Sequence, residues 1–561
     1  MNFNISDNKP IVAIWGVQDG SGYPKSGWSE FCPTHDHSFC VLKENRIDNY
    51  LELERVTRSK HDRRLSAYIE KLDQYLPEDF IVVCVNHYAG NSFISNNGMW
   101  RIESEGLRVS ELIRPAHAYV NHVEREAYIC SHELAHIGAI LPFVGEFREN
   151  SLLVHIDGLA SESCFSVFHY VNGTIKYIYH GWEPLEATQI FGFNDMTCSM
   201  LGLDENHRLA VPGRLMGYSS YGSDGNEIRK WLKENKWFAG FWKDHNHFFE
   251  DISQIYQEEI VNFDLKKQCF MDIAASCQRE FEDVILGLMK QYQSLTNAEY
   301  LYYSGGAALN IDLNTRLIDS HLFRKVYIPP CCSDTGLALG GAAIVNLLRG
   351  NKMNIHSPFI NSVGVKEKSV KPLDNELLEN IVIRLAQGQV MGTCIGLAEC
   401  GPRALGHRSI MGIPTSQRMY KRINTEIKQR EWYRPLAPII LDKLADKVFD
   451  YVSEFEELSQ FMLLNCVVKN SWLGEIPAIV HVNKTARVQV VHKDDVDLAP
   501  IYQILDRLWT DKRIPCLINT SFNGQGEPIV HTDQDALETG KRVGLDFILF
   551  DDKIVDLRNL G

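Results

Sequence analysis

The chain contains 561 residues, which is too long for a single hydrophobic core and predicts two or three domains. Hydrophobic residues make up 45% of the chain and charged residues 23%, a composition that is typical of folded proteins and excludes extensive disorder. The formal net charge of −15 argues against broad binding to nucleic acid or anionic membranes, because both are polyanions, so any phosphate site must be a local basic pocket.

Cysteine use indicates a reducing compartment. The chain has 14 cysteines but no Cys-x-x-Cys pair, and its first ten residues lack the basic and apolar pattern of a secretory signal. No apolar run approaches the ~18 residues of a membrane span. We therefore expect a cytoplasmic protein without a membrane partner.

The first part of the chain alternates between predicted strands and loops. Short β-rich runs cover residues 11–17, 38–42, 51–56 and 80–85. A charged run follows the third of these and leads into an amphipathic helix. Strands in succession followed by a helix predict an α/β layer.

Residues 130–141 carry the strongest local motif. The run is small, apolar and free of proline, so we predict a helix in which His132 and His136 lie one turn apart and bind one metal ion. Two imidazoles leave a divalent ion short of ligands, so oxygen ligands must come from elsewhere in the chain. Such a mixed set suits iron, zinc, manganese or nickel.

The same motif has two other interpretations. His132-Glu133-x-x-His136 matches a zinc-protease pattern, in which Glu133 is the general base and Glu146 or Glu149 supplies the third ligand. The simplest alternative is a pair of histidines packed in a core helix. The motif alone does not decide between these three.

The order of predicted strands and turns seen in the first part of the chain is repeated after the histidine motif. A predicted strand at 151–158 ends in Asp157 and a glycine, and alternating segments at 165–171 and 175–179 follow, joined by an Asn-Gly turn. Two such halves face each other across a cleft in the actin-like nucleotide-binding superfold, which this layout resembles. We therefore predict a duplicated actin-like α/β fold for the N-terminal part.

A double glycine follows a later predicted strand, residues 301–304. Gly305 and Gly306 lead into a helix near Asn310, where free backbone amides and the helix dipole favour a phosphate. A tight packing turn is the alternative interpretation of the two glycines.

A second acidic residue occupies a similar position. The predicted strand at 326–328 leads to Asp334, just before a helix with small residues at 338–343. Asp157 and Asp334 therefore both lie at strand ends, where a cleft opens in such folds.

Regular patterning lapses between residues 351 and 372, and we place a domain boundary there. The following part concentrates basic side chains among glycine and proline turns, which predicts a preorganised anion pocket. Its members are Arg403, His407, Arg408, Lys428, Arg430 and Arg434. Residues 518–528 add hydroxyl and amide donors at a glycine-rich strand end.

Taken together, these motifs resemble the O-carbamoyltransferases of the nodulation-factor and tobramycin type. The similar blocks are residues 54–62, the helix with His132 and His136, and residues 213–218, 305–310, 333–336, 401–409, 428–430 and 519–527. Any single block is weak, but the ordered set is not expected by chance.

The resemblance implies two modules. Residues 1–360 would be similar to the tRNA threonylcarbamoyl transferase of the actin-like superfold, and residues 361–561 to the YrdC-like domain that forms carbamoyl adenylate. YrdC-like domains line the nucleotide and carbamoyl site with a Lys-x-Arg and a Ser-x-Asn pair. These map onto Lys428, Arg430, Ser521 and Asn523.

The resemblance also implies the cofactors and partners. An iron(II) or similar ion would be held by His132, His136, Asp157 and Asp334. The implied substrates are ATP, which Mg(II) can accompany, carbamoyl phosphate, and a hydroxyl of a small-molecule, sugar or natural-product acceptor. The family further leads us to expect a homodimer.

Transfer to an alcohol needs a general base, and His35 and His37 have the intrinsic pKa range for that role. Their alternative role is to orient neighbours or cap a turn. The chain departs from the family pattern before His35, where it inserts residues 18–34, and after Asp157, where the usual second glycine is missing.

Three competing functions remain at this point. A metalloprotease would use Glu133 as its base. A tRNA-modifying enzyme would need a basic RNA-facing surface, which the net charge disfavours. A non-catalytic nucleotide-binding protein would bind ATP without turning it over.

Overall fold

The computed structural model describes residues 5, 9–16, 34–86, 93–105, 107–158, 160–182, 195–203, 209–235, 245–365, 369–451 and 453–558. The insertion at 18–34 therefore lies outside the described residues except for Thr34.

The first described block folds into an eight-stranded mixed sheet. Its strands are β1 (Ile11–Trp15), β2 (Ser38–Lys43), β3 (Arg46–Glu52), β4 (Ile81–Val85), β5 (Phe93–Ile94), β6 (Trp100–Glu103), β7 (Ile113–Val120) and β8 (Val123–Cys130). Their order is β3-β2-β1-β4-β8-β7-β6-β5. Strands β1 and β4 are buried along their whole length, as expected for apolar, β-branched runs in the centre of a sheet.

A second sheet repeats the central part of the first. It contains β9 (Ser151–Ile156), β10 (Phe165–Val171), β11 (Thr174–Gly181), β12 (Tyr300–Ser304) and β13 (Lys325–Tyr327) in the order β11-β10-β9-β12-β13. As in β3-β2-β1-β4-β8, the first three strands are antiparallel and the last two run parallel to the central one. This duplicated order is the topology of the actin-like superfold and confirms the predicted α/β fold class.

One predicted strand is wrong. The segment at 51–56 alternates apolar and charged residues, but β3 ends at Glu52 and Leu53–Thr57 is a helix. The alternation misleads because Arg55 is fully buried beside the buried Glu52, so two of the three charged positions of this segment do not face solvent.

Two helices that follow the sheets pack in direct contact. The histidine helix, His132–Gly138, lies against the helix Leu337–Leu348, and a Cβ on Gly340 would stand 1.7 Å from the carbonyl oxygen of Ala135. A Cβ on Gly138 would likewise stand 2.5 Å from the carbonyl oxygen of Gly340. The small residues of the second helix are therefore required by this close backbone approach.

The last third of the chain forms a seven-stranded mixed sheet. Its order is β20-β16-β21-β15-β14-β22-β23, and a small sheet β17-β18-β19 lies beside it. The strands are β14 (Met391–Thr393), β15 (Ser409–Gly412), β16 (Ala437–Leu441), β17 (Phe449–Asp450), β18 (Asn465–Val468), β19 (Thr485–Arg487), β20 (Gln489–Val491), β21 (Cys516–Ser521), β22 (Phe547–Leu549) and β23 (Ile554–Asp556). No strand of these sheets precedes residue 391, and none of the first two sheets follows residue 327.

The described helices cover both parts of the chain. The α-helices are Leu53–Thr57, Leu65–Tyr68, His132–Gly138, Leu141–Val144, Asp195–Met200, Val211–Ser219, Asn226–Glu234, His245–Tyr256, Gln268–Thr296, Ile311–Asp319, Leu337–Leu348, Asn375–Ala386, Gln417–Tyr420, Asp442–Val448, Glu456–Gln460, Ala499–Lys512 and Asp533–Val543. Shorter 3₁₀ segments are Ile69–Tyr75, Val109–Glu111, Gly306–Leu309, Asp334–Gly336, Ser453–Phe455 and Asn470–Trp472. None of the described helices combines the length and the apolar composition that crossing a bilayer requires.

Candidate functional site

The histidine pair lies on a short, capped and buried helix. The Ser131 hydroxyl accepts a hydrogen bond from the Leu134 amide at 3.2 Å and so starts the helix after β8. The Nε2 atoms of His132 and His136 are 3.0 Å apart, and both rings are fully buried. Nδ1 of His136 donates to the carbonyl oxygen of Cys332 at 3.1 Å, so its Nε2 presents a lone pair towards His132. Two converging imidazole nitrogens fit a shared cation.

The two predicted carboxylates complete this group. Asp334 Oδ1 lies 3.4 Å from His136 Nε2 and 3.7 Å from His132 Nε2, and Asp157 Oδ2 lies 3.5 Å from His136 Nε2. Donor atoms about 2 Å from one ion stand about 3.3 Å apart in a tetrahedral site. The structure thus brings His132, His136 and Asp334 together at spacings that fit one divalent ion, and Asp157 approaches the same nitrogen of His136 from a second group that contains His155.

The electrostatics of this group also fit a cation. Burial would raise the pKa of the Asp334 carboxyl, but the positive charges of His35 and His132 outweigh it and hold this pKa well below its usual value. Burial would lower the pKa of His132, but its hydrogen bond to Asp334 raises it instead. The chain alone therefore balances the buried carboxylate with protons on imidazoles, and a bound metal ion would replace those protons.

Glu133 points away from the histidine pair. Its carboxylate accepts hydrogen bonds from the Ser161 hydroxyl, from the Glu162 amide at 2.9 Å and from the Ser163 hydroxyl at 3.3 Å. Glu133 therefore anchors the loop after Asp157. It is not placed to activate a water at the histidines, which removes the geometric basis of the protease interpretation.

The predicted third protease ligands are also elsewhere. Glu149 accepts from the backbone amides of Asn172 and Gly173, and Glu146 pairs with Lys352 at 2.6 Å. Neither carboxylate belongs to the metal-capable group formed by the two histidines.

The first prediction concerns Glu133→Gln. The amide retains one oxygen as an acceptor for the loop but presents an N–H group to the other donors, so we expect a loss of about 1–3 kcal/mol in the free energy of unfolding. Because Glu133 does not face the histidines, we expect the carbamoyl transfer that the family resemblance implies to fall by less than ~10-fold, as judged against the ~10²–10⁴-fold contribution of a true general base. Steady-state kinetics and urea unfolding measure the two effects. A loss of more than 100-fold in transfer without unfolding would restore Glu133 to the chemistry.

A second polar group lies beside the first. Asp36 bridges two histidines, with Oδ2 at 3.0 Å from Nδ1 of His35 and Oδ1 at 2.9 Å from Nδ1 of His61. Burial would lower the pKa of His35, but the carboxylates of Asp334 and Asp36 outweigh it and raise this pKa to about 10. His35 is therefore within the field of the metal-capable group and carries a proton in the chain alone.

His37, the other predicted base, has different surroundings. Its ring is fully buried with its centroid 5.9 Å from that of Trp15, and neither ring nitrogen has a hydrogen-bond partner among the described residues. Burial lowers the pKa of His37 to about 3. His37 is therefore a weak proton acceptor, and His35 is the better candidate for the base.

The predicted Lys-x-Arg and Ser-x-Asn pairs meet in the C-terminal sheet. Lys428 follows a π-helical turn, Lys421–Ile427, a distortion that is frequent at functional sites. Its ammonium donates to the carbonyl oxygens of Ser521 and Asn523, both at 2.7 Å. The Ser521 hydroxyl donates to Oδ1 of Asn523 at 2.6 Å and lies 3.4 Å from Nη2 of Arg430.

Further cations crowd around Lys428. Burial, together with the charges of Arg430 and Arg434, holds the pKa of Lys428 well below its usual value. Burial also lowers the pKa of Arg403 to about 10 and that of Arg434 below its usual value. Among the described residues, the buried Nε of Arg403 has no hydrogen-bond partner. Glu431 pairs with Arg434 at 3.8 Å, and the remaining excess of positive charge around the buried Lys428 fits an anionic ligand.

Two cations of this cluster were missed by the sequence analysis. Burial and the charges of Arg403, Arg430 and Arg434 lower the pKa of Arg487, which lies at the end of β19. Lys60 approaches from the N-terminal part and adds to the repulsion that lowers the pKa of Lys428. Lys60 lies in residues 54–62, one of the blocks that resemble the O-carbamoyltransferases, and this resemblance could have identified it. Nothing in the local sequence distinguishes Arg487.

The structure does not place Arg408 and His407 with these cations, which corrects their predicted membership of the anion pocket. Arg408 is fully buried and its guanidinium donates to backbone carbonyl oxygens at 2.6–3.0 Å. The His407 ring stacks on Phe359 with centroids 3.5 Å apart, and both ring nitrogens face backbone carbonyl oxygens at 2.6 and 2.9 Å. Both residues hold the loop that carries Arg403 and are not available to a ligand.

The predicted phosphate turn also has other partners. Gly305 has φ of 104°, and a Cβ there would stand 2.1 Å from the carbonyl oxygen of Ile156, so the glycine is required for packing. The Gly306 amide donates to Oδ2 of Asp157 at 2.5 Å, and Asn310 caps the next helix by accepting from the Leu313 amide at 3.0 Å. In the ligand-free protein, this turn therefore positions the Asp157 carboxylate.

Two arginines join the N-terminal part to the C-terminal sheet. Arg55 pairs with Glu52 at 3.0 Å and donates to the carbonyl oxygen of Gly401 at 2.8 Å. Arg58 donates to the carbonyl oxygen of Ile529 at 2.5 Å. The segment that carries Lys60 is thereby fixed between the two groups of functional side chains.

Known proteins similar to this chain span most of its length. Nodulation protein NolNO of Sinorhizobium fredii is 24% identical over 562 residues, covering 93% of this chain and 79% of that protein. Uncharacterized protein MJ1051 of Methanocaldococcus jannaschii is 25% identical over 557 residues, covering 93% of this chain and 98% of that protein. Among solved structures, full-length HypF in its phosphate- and nucleotide-bound form is 14% identical with a TM-score of 0.32, covering 61% of this chain and 56% of that chain.

Family models match both parts of the chain. The model described as carbamoyltransferase N-terminus matches residues 101–344, which include the histidine pair and both carboxylates. The model described as carbamoyltransferase C-terminus matches residues 382–556, which include the cations around Lys428. The chain therefore belongs to the carbamoyltransferase family and is an enzyme of that class.

Proposed function

We propose that the protein is an ATP-dependent O-carbamoyltransferase that works in two steps at two sites. In the first step, water splits carbamoyl phosphate into phosphate and carbamate, and the carbamate oxygen attacks the α-phosphorus of ATP, giving carbamoyl adenylate and releasing pyrophosphate. In the second step, a hydroxyl of a small-molecule, sugar or natural-product acceptor attacks the carbamoyl carbon and releases AMP. The observation that carries this proposal is the presence of two anion-binding groups of different chemistry, one cationic and one metal-capable, joined by the segment around Lys60.

The cationic cluster suits the first step. ATP and carbamoyl phosphate are both polyanions, so bringing them together needs fixed positive charge to offset their repulsion. Lys428, Arg430, Arg434, Arg403 and Arg487 lie together and lower one another's pKa, which indicates an excess of positive charge over the one carboxylate, Glu431, that pairs with Arg434. The backbone carbonyls of Ser521 and Asn523 orient Lys428, and the Asn523 side chain is itself held by the Ser521 hydroxyl and the Glu527 carbonyl oxygen.

The metal-capable group suits the second step. His132, His136, Asp157 and Asp334 would hold a divalent ion such as Fe(II), which supplies a positive centre for the nucleotide phosphate and polarises the carbamoyl group. His35 is then the base that accepts the proton of the acceptor hydroxyl. Asp334 and Asp36 keep His35 protonated in the chain alone, and a cation on Asp334 would reduce that field and free the imidazole.

A partial-reaction assay tests the proposal. Purified chain supplied with Fe(II), Mg(II), ATP and carbamoyl phosphate is expected to exchange labelled pyrophosphate into ATP only when carbamoyl phosphate is present. Mass spectrometry of candidate acceptors then identifies the carbamoylated product. Absence of exchange in metal-loaded protein would overturn the first step, and exchange without carbamoylation of any hydroxyl acceptor would confine the function to adenylate formation.

Arg487→Met gives the second prediction. Among the described residues its guanidinium has no hydrogen bond or ion pair, and it adds charge to a buried cationic cluster. Removing this charge is expected to raise the melting temperature of the ligand-free protein while raising the apparent Kd for ATP by about 10-fold, the range of a lost charged hydrogen bond.

Thermal scanning with and without ATP measures both effects of Arg487→Met. The matched control is Arg507→Met, which removes an exposed arginine paired with Asp511 on the helix Ala499–Lys512 and is expected to change neither quantity. A lower melting temperature with unchanged ATP affinity would show that Arg487 supports the fold and not the ligand.

A further inference from the structure

We propose that Arg214, in the N-terminal part, is a further ATP-binding residue that contacts the triphosphate together with Arg434, at the position that the Glu431 carboxylate occupies in the ligand-free protein. This inference rests on the ATP-binding cluster of the proposed function and adds a residue from the other part of the chain. Glu431 is then an internal counter-ion that the triphosphate displaces.

Arg214 lies on a helix that packs against the segment carrying the cationic cluster. The helix is Val211–Ser219, and a Cβ on its Gly217 would stand 3.7 Å from the carbonyl oxygen of Tyr433. The ring centroid of Tyr218 is 5.1 Å from that of Tyr433. Arg214 precedes Gly217 and Tyr218 by three and four residues and therefore shares this face of the helix. The fold thus brings an arginine of the N-terminal part to the cluster.

One carboxylate bridges Arg214 to the cluster. Oε1 of Glu431 lies 3.0 Å from Nη2 of Arg214, and its Oε2 lies 3.8 Å from Nη1 of Arg434. This bridge is incomplete, because the buried Oε2 of Glu431 and the buried Nε of Arg214 have no hydrogen-bond partner among the described residues. A guanidinium binds a phosphate through two parallel N–H donors, so a phosphate group can use donors that Glu431 leaves unpaired.

The charges around Glu431 also favour its replacement by a stronger anion. Burial lowers the pKa of Arg434 and the charge of Arg214 lowers it further, while the Glu431 carboxylate opposes both effects. Burial and the charge of Arg434 hold the pKa of Arg430 well below its usual value, again against the charge of Glu431. A single carboxylate thus faces three guanidinium groups, and a triphosphate carries more negative charge than one carboxylate.

Glu431 can leave this position through a change in its side chain alone. Its carbonyl oxygen accepts hydrogen bonds from the Arg434 amide and from Nδ2 of Asn424, both at 3.2 Å, so its backbone is held in place. The side chains of Arg214, Glu431 and Arg434 are between 18% and 32% exposed, so a ligand can reach them from solvent.

The alternative is a permanent ion pair that only joins the two parts of the chain. Lys325 on β13 and Glu457 on the helix Glu456–Gln460 form such a pair between the N-terminal and C-terminal parts. Neither residue belongs to the cationic cluster, so this pair supplies a matched control for the loss of a link between the parts.

Glu431→Gln tests the inference by calorimetric titration of the full chain with Mg(II)-ATP, without carbamoyl phosphate. Removing the competing charge is expected to lower the Kd for ATP by ~10-fold, about the effect of one hydrogen bond to a charged group. Glu457→Gln is expected to leave this Kd unchanged. An unchanged or higher Kd in folded Glu431→Gln overturns the inference, and so does an equal decrease in Glu457→Gln.

A titration with carbamoyl phosphate alone identifies which phosphate compound Arg214 binds. We expect Glu431→Gln to change the Kd for carbamoyl phosphate by less than the Kd for ATP. A decrease seen only with carbamoyl phosphate overturns the assignment of Arg214 to ATP.

Arg214→Met in the Glu431→Gln background supplies the next measurement. Since this background has no Glu431 carboxylate for Arg214 to neutralise, any remaining effect of Arg214 on ATP is direct. We expect the Kd for ATP to rise by at least ~10-fold relative to Glu431→Gln. An unchanged Kd would show that Arg214 serves only as the partner of Glu431, which overturns the inference.

A crystal structure of the unmodified chain with Mg(II)-ATP decides the question even if a variant fails to fold. We expect Arg214 to contact a phosphate oxygen, and an Arg214 that is still paired with Glu431 in this complex overturns the inference while leaving the proposed function intact. An unmodified chain that binds no ATP in the titration overturns both the inference and the first step of the proposed function.

Discussion

Lys428→Ala is expected to reduce carbamoyl-phosphate-dependent exchange of pyrophosphate into ATP by ~10²–10³-fold, the usual effect of removing one preorganised electrostatic donor. The ammonium of Lys428 is held by the carbonyl oxygens of Ser521 and Asn523 and is surrounded by other cations. A fixed charge in such a desolvated pocket interacts strongly with a developing phosphoryl charge. Arg430→Ala is expected to act in the same direction.

A control variant must distinguish the loss of the Lys428 charge from a loss of folded protein. Lys443→Ala removes a lysine that pairs with Asp506 in the same sheet region and is half exposed, so its exchange rate is expected to match that of the unmodified protein. Lys428→Arg keeps the charge but changes the donor geometry, so we expect its exchange rate to lie between those of Lys428→Ala and Lys443→Ala. Full exchange activity in folded Lys428→Ala would remove the C-terminal cluster from the adenylate-forming step.

The sequence predicted those parts of the site that depend on local spacing. His132 and His136 are four residues apart in a helix-forming run, so the helical period alone places them together. Asp157 and Asp334 follow strands β9 and β13, and the parallel topology of the sheet brings such ends to one cleft. The Lys-x-Arg and Ser-x-Asn pairs were predicted from family resemblance and not from physics.

The sequence could not show how each basic side chain is used. Arg403 and Arg408 lie five residues apart in one glycine-rich loop, but only Arg408 donates its hydrogen bonds to backbone carbonyls. The sequence does not distinguish an arginine that stabilises a loop from one that binds an anion. The difference depends on whether carbonyl groups from distant segments accept the hydrogen bonds of the guanidinium. Arg487 was missed for the same reason.

The strand misassigned at 51–56 shows another limit of local patterns. Its alternation was real, but Arg55 is buried by pairing with Glu52, three residues earlier, and by donating to the carbonyl oxygen of Gly401 in the C-terminal part. The burial of Arg55 depends on a tertiary partner that a local pattern does not contain.

His136→Ala is expected to separate the two steps of the reaction. The change removes one of the converging nitrogens, so the affinity for Fe(II) is expected to fall by ~100-fold or more and transfer to the acceptor hydroxyl to be lost with it. Pyrophosphate exchange is expected to persist within ~3-fold of the unmodified rate, because the cationic cluster needs no charge from the histidine helix. Elemental analysis, exchange and product assays on the same preparation measure all three.

The matched control for this separation is His169→Ala, which removes a half-buried histidine of β10 outside the site. We expect the His169→Ala variant to retain the metal content, the pyrophosphate exchange rate and the transfer activity of the unmodified protein. If His136→Ala abolishes exchange as well, the two sites are coupled through the contacts of Arg55 and Gly401, because the Cys332 carbonyl that binds His136 lies in the segment packed against Gly401. If transfer survives without metal, the histidine pair has a structural role and the acceptor must be activated by protein groups such as His35 alone.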